Sequence, residues 1–138
     1  MSVDSAVETM LATVLGTDAT LTTLAPGGVW RDIAPQGVVG TIVVFSFVSA
    51  PDDYTLKVRA KTDYTWLIKA LAPGESSAPA QAAADRIDVL LNDTTPKLTD
   101  GRILNMRRDR RTSMSEALGG ETYQHVGGYY LIQVSENS

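Results

Sequence analysis

The chain's single imidazole belongs to His125, and the nearest carboxylate in sequence is Glu121, four positions earlier. On a strand this spacing places both on one face, where a carboxylate could orient the ring for general-base work. No GxSxG nucleophile elbow accompanies the pair, and any Ser-His-Asp arrangement would have to run through this one residue. His125 therefore reads as a strand-surface or subunit-contact histidine. Asp85 and Asp88 flank Arg86 on a helical stretch, and two carboxylates three apart share a helix face that could hold a divalent cation or move protons. No third ligand stands at a usable spacing, so a solvated or interface ion-pair face with Arg86 is expected. Gly27-Gly28 and Gly119-Gly120 lack the GK[ST] or GxGxxG context of a phosphate loop. With no cysteine in the chain, disulfides, zinc ribbons and thiol catalysis fall away. The expectation is a protein that is not an enzyme and holds neither metal nor cofactor.

Charge is more informative. The 12 Lys and Arg against 16 Asp and Glu give a net charge of -4. Arg31 is the only cation before Lys57, whereas Arg102, Arg107, Arg108, Arg110 and Arg111 crowd together. On a regular strand Arg107, Asp109 and Arg111 point one way and Arg108 and Arg110 the other. Three readings compete: a solvated strand end, an ion-paired subunit interface, and a nucleic-acid contact. No aromatics interleave with the arginines as stacking platforms would, and an acidic total disfavours a surface that tracks DNA along its whole length.

The elements that must carry these residues follow from apolar spacing. Val3, Val7, Met10, Leu11, Val14 and Leu15 make a helical stripe, with Ser5 to Glu8 as a capping box, an earlier start at Ser2 as the alternative, and Gly16 as a stop. A short turn of helix is expected over 18–24, capped by Thr17 or Asp18. Val29 to Ile33 reads as a short strand, Val39 to Val48 as a central one, and Asp63 to Leu71 as a third. Pro79 suits the first turn of a helix with Ala80, Ala83, Ala84, Ile87, Leu90 and Leu91 as its stripe. Residues 101–111 form a strand, 112–120 a mobile polar stretch, and 122–134 one long strand with a bulge at Gly127-Gly128.

With 43% hydrophobic and 20% charged residues over 138 positions, these elements describe one domain spanning 1–138, with an extended arm at 49–61. The fold class is α+β: a single mostly antiparallel sheet of four to five strands against two main helices, one N-terminal and one between strands three and four. Short connections favour antiparallel neighbours for the first three strands. The N-terminus lacks the features of a signal peptide, and the longest apolar stretch falls far below the ~20 residues of a membrane helix. A soluble protein is expected.

Three segments, Val29-Trp30-Arg31-Asp32-Ile33-Ala34-Pro35-Gln36-Gly37, Ala82 to Leu91 with its Ala84-Asp85-Arg86-Ile87-Asp88 core, and Tyr123-Gln124-His125-Val126-Gly127-Gly128-Tyr129-Tyr130, occur in this order along the chain. Together they resemble the tail terminator, or tail completion (tail-to-head joining), proteins of long-tailed bacteriophages. The resemblance implies a virion protein, assembled in the host cytoplasm, that forms a hexameric ring on the head-proximal end of the tail tube, stops tube polymerisation and joins the head. Its implied partners are other copies of itself, the tail tube protein on one face and a head-completion or neck protein on the other. Genomic DNA would pass through the lumen without specific binding, and no membrane is involved. A ring requires two different patches to meet around a closed rotation. Arg107, Arg108, Arg110 and Arg111 of one subunit are expected to face acidic residues of the next, drawn from Asp52, Asp53, Asp85 and Asp88. The arm, with Tyr54, Lys57 and Arg59, is expected to reach a neighbouring ring or subunit. The rival readings are a neck or head-completion connector ring, a DNA-binding module using the arginines, and an enzyme built on His125.

Overall fold

The computed structural model describes residues 3–35, 37–55 and 58–135, with backbone alone at 3, 52–55 and 58–60. The elements run α1 (Val3–Thr17), α2 (Ala19–Leu24), β1 (Val29–Arg31), β2 (Ile42–Ser49), β3 (Asp52–Thr55), β4 (Val58–Pro73), α3 (Ala78–Leu91), β5 (Arg102–Leu118) and β6 (Glu121–Ser135). One sheet follows the path β1-β2-β4-β6-β5, and β3 pairs with β4 beyond the end of β2. This is the α+β class that the element pattern calls for, with the sheet antiparallel except at one edge. There β1 pairs with β2 in parallel, Val29 opposite Val43 and Arg31 opposite Phe45. The loop 32–41 thus carries the chain back along the sheet, where short connections alone favour an antiparallel pair.

Burial shows how the layers lie. Along β4, Tyr64, Trp66, Ile68, Ala70 and Ala72 are buried while Thr65, Leu67, Lys69 and Leu71 are half-buried. Their same-face partners on β6 are Ile132, Tyr130, Gly128, Val126 and Gln124. Onto this face pack Val7, Leu11 and Leu15 of α1, Leu21 of α2, and Ala80, Ala83, Ile87 and Leu91 of α3. The small side chains at the start of α3 let it sit close to the sheet. Trp66 lies at the centre, with Phe45 and Phe47 at ring centroid distances of 5.7 Å each and the Arg31 guanidinium 5.9 Å from its ring. Such aromatic and cation contacts add to the transfer free energy of burial.

Local chemistry sets the element ends. α1 continues through Gly16, so that glycine is not a stop and Ser5 and Glu8 lie inside the helix rather than in a capping box. The break comes at Asp18, whose Oδ2 accepts from the Leu21 amide at 2.8 Å and caps α2. β1 ends at Arg31 because Asp32 takes a positive φ, and β2 starts at Ile42, after Gly40 does the same.

The largest departure from the sequence reading is β5. Residues 112–118 continue the strand in register with β6, Thr112 opposite Gly127 and Leu118 opposite Glu121. Gly119 and Gly120, both at positive φ, form the two-residue turn between them. β6 is one long strand, as expected, but it carries no bulge at Gly127-Gly128. The bulges lie across from it in β5, at Leu104 and Asp109. The two glycines serve close approach instead. A Cβ on Gly127 would lie 2.3 Å from the Ile68 carbonyl oxygen, and one on Gly128 would lie 2.7 Å from that of Arg110.

Candidate assembly surface

The arginine cluster sits on β5, an edge strand of the sheet. The bulge at Asp109 resets the alternation: Arg107 is opposite Leu131 and Arg110 opposite Tyr129, while Arg108 is opposite Tyr130 and Arg111 opposite Gly128. Arg107 and Arg110 therefore share the open face, and Arg108 and Arg111 share the helical face. Uninterrupted alternation pairs Arg107 with Arg111 and Arg108 with Arg110, and the extra residue is the reason the structure differs. The Arg110 guanidinium stacks 4.5 Å from the centroid of the Tyr129 ring.

Arg108 is tied into its own subunit. Its amide donates to Asn92 Oδ1 at 2.9 Å, and the Asp93 amide donates to the Met106 carbonyl at 2.8 Å. The turn after α3 thus clips the outer edge of the first half of β5. Asp93 reaches this position at positive φ, which a short polar side chain tolerates. The Arg108 guanidinium lies 3.6 Å from Asp88 Oδ1, the same atom that accepts from the Tyr130 hydroxyl at 3.0 Å. Burial first, and then the bond to Asp88, hold the Tyr130 phenol well above its ordinary pKa, with Arg108 opposing. Asp88 is engaged inside the monomer.

Asp85 accepts from Gln81 Nε2 at 2.7 Å, but Arg86 does not pair with either neighbouring carboxylate. It reaches 68 residues back to Asp18 through Nε at 2.9 Å and Nη2 at 2.8 Å. The bidentate bond to Arg86, aided by the Leu21 amide, holds the Asp18 carboxyl down at about 2. Arg111, which makes no ion pair with the described residues, lines a cleft of about 280 Å³ with Arg108, Gln81 and Ser113. A second cleft of about 380 Å³ lies at the foot of the open face, between Pro35, Ile42, Leu71, Leu118 and Tyr123.

His125 Nε2 lies 3.2 Å from Glu116 Oε1 on β5, while Glu121 takes the Tyr123 hydroxyl at 2.6 Å. The partner of the ring is thus a cross-strand carboxylate and not the one four positions back. A strand pair separated by a turn brings together residues that spacing along one strand cannot. Of the arm residues, Asp52, Asp53, Tyr54 and Arg59 lie on the β3–β4 hairpin, with Asp53 opposite Lys61 and Tyr54 opposite Arg59. Lys57 lies outside the described residues. Among the described residues no group of three or more His, Asp or Glu could hold a metal ion, and no helix is long and apolar enough to cross a membrane.

Among the described residues the ionic groups thus lie along strand edges and a helix–strand seam. Residues 9–128 match the family model described as "Tail completion protein gp17". The chain belongs to this family and is a structural protein of the phage tail, a virion component. No curated protein sequence matches it. Among solved structures, a chain of the "Virion of native gene transfer agent (GTA) particle" superposes with a TM-score of 0.79 at 19% identity, covering 97% of this chain and 98% of that one. A second solved chain, 12% identical, superposes with a TM-score of 0.58 over 96% of each. At these identities the likeness is one of fold.

Proposed function

We propose that this protein forms a ring, a hexamer, at the head-proximal end of the tail tube, where it halts tube polymerisation and presents the surface that joins the filled head. Its membership of the tail completion family over residues 9–128 carries this reading. The full-length likeness to a chain of a gene transfer agent virion supports it. In this reading termination is steric. The subunit satisfies the exposed end of the tube on one face and offers, on the other, nothing that the next tube ring can grip. It acts without transforming a molecule, and DNA passes through the lumen unread.

The contacts of the ring follow from charge. Arg107, Arg110 and Arg111 of one subunit face acidic groups of the next, Asp52, Asp53 and Asp85, while Arg108 and Asp88 contribute as a pair already closed within their own subunit. The β3–β4 arm, carrying Tyr54, Lys57 and Arg59, reaches a neighbouring ring or subunit. Electron microscopy of particles made without this protein tests the reading. Overlong, headless tails are expected; tails of normal length, with or without heads, would sink it.

A further inference from the structure

The two halves of β5 present unlike outer edges. From Arg102 to Arg108 the edge is broken by the bulge at Leu104 and clipped at Met106 and Arg108 by the Asn92-Asp93 turn. From Thr112 to Leu118 it runs in unbroken register with β6, and among the described residues no backbone hydrogen bond reaches its outer side. A flat, uncovered edge is a template for another strand, and proteins usually blunt one unless it is used. On the opposite side of the sheet β1 covers β2 only at Val43, Val44 and Phe45. Beyond the Asp32 amide bonded to the Phe45 carbonyl, the outer side of Ser46 to Ser49 is likewise uncovered among the described residues. The two uncovered edges also carry four of the large apolar side chains that face solvent: Phe47 (47% exposed), Val48 (48%), Met114 (53%) and Leu118 (66%).

We propose that these edges are the two halves of one joint: the Thr112–Leu118 edge of one subunit pairs, antiparallel, with the Ser46–Ser49 edge of a second copy. The inference rests on the ring reading and supplies the contact that closes it. Strand direction agrees. Each of β2, β4, β6 and β5 is antiparallel to the next, so a neighbour's β2 placed beside β5 continues the alternation around a rotation axis. The stagger agrees as well. Ser115 is level with Gln124, Gln124 with Ala72, and Ala72 lies one step beyond the Leu71–Ile42 pair. Phe47 is then about six residues, or roughly 20 Å, further along the strands. Across four strands at about 4.8 Å each, that offset inclines the strands by roughly 45°, the upper end of the tilt that closed barrels adopt. The bulge at Val48 adds the local twist that a curved sheet needs. A pairing of two β5 edges would instead close a two-fold dimer and leave the β2 edge empty.

The chain has no cysteine, so an engineered disulfide reports the joint without background. Within one subunit the two edges are separated by the width of four strands plus the stagger, far beyond the ~7 Å Cα separation that a disulfide spans. Two double variants, Phe47→Cys with Ser115→Cys on the helical face and Ser46→Cys with Met114→Cys on the open face, sample neighbouring registers. In oxidised free protein and in purified particles, at least one is expected to replace the monomer band with a ladder ending at the ring number, while each single variant stays unlinked. Mixing the two singles of the active pair should give dimers and nothing larger. Dimers from Ser115→Cys or Met114→Cys alone would overturn the proposal in favour of the two-fold pairing. Rings of the expected mass by light scattering, with neither pair linked, would overturn it while leaving the ring reading intact. No ring and no linkage in either setting would remove both.

Discussion

The first and second halves of β5 share a strand, a partner and a polar composition, yet they solve opposite problems. The first half is held on both sides, by β6 and by the Asn92-Asp93 turn, and it contributes Ile103 and Met106 to the core. The second half is held on one side only and buries no side chain. Mutation of the first should register in the stability of the monomer, and mutation of the second in association. Between them lie Asp109 and, across the ladder, Gly128, where two backbones approach too closely for a side chain.

That division can be broken in several places. The largest effect is expected at the junction, where Gly127→Ala drives a methyl against the Ile68 carbonyl and the Lys69 backbone. Overpacking against main chain should cost more than about 2 kcal/mol in chemical denaturation. An Ala variant as stable as the parent would show that the strands can part there. Next is the clip: Asn92→Ala leaves the Arg108 amide without its acceptor and should cost roughly 1–2 kcal/mol. Amide exchange should then quicken over 102–108 and stay unchanged over 112–118. Equal acceleration in both halves would mean that β5 is one cooperative unit.

Charge reversal separates the halves again. Arg108→Glu sets a carboxylate beside Asp88 and should lower stability by about 1 kcal/mol or more. Arg111→Glu should leave the monomer within about 0.5 kcal/mol of the parent while weakening ring formation in low salt. A fully stable Arg108→Glu would show that its pair with Asp88 adds nothing. The smallest effect is a matter of pH. Asp18 titrates at about 2 when folded against 3.8 for a free carboxyl, so its contribution is whole above about pH 4 and disappears as the pH falls through about 2. Asp18→Asn should flatten the acid limb of the melting-temperature profile within that window. An unchanged limb would assign acid sensitivity to other carboxylates.

Much of this molecule was legible from side-chain periodicity. α3 is visible as a stripe of Ala80, Ala83, Ala84, Ile87, Leu90 and Leu91, and all but the half-buried Leu90 are buried. β6 is visible as a single strand despite its two glycines. The second half of β5 was not legible, because Thr112 to Leu118 buries nothing and so has no hydrophobic alternation to display. Its strand state comes from pairing with β6, and the available signal was the Gly119-Gly120 turn. The face that each arginine occupies was equally hidden, since a bulge leaves no mark in residue spacing. Arg86 meets Asp18 across 68 residues, a contact set by the packing of α2 on α3 and by nothing local. The His125–Glu116 pair belongs to the same class: once the hairpin is known its register follows, and without the hairpin Glu121 looks nearer.

β4 runs for 16 residues without interruption, from the arm it shares with β3, through the buried Trp66, to Pro73. Through its middle it is flanked by β2 on one side and β6 on the other. Tension applied at the tip of the arm would travel down a single covalent cable and load both flanking ladders lengthwise, so that many hydrogen bonds resist at once and none can be peeled in turn. A subunit built this way can be tugged by a neighbour without coming apart from the outside inward.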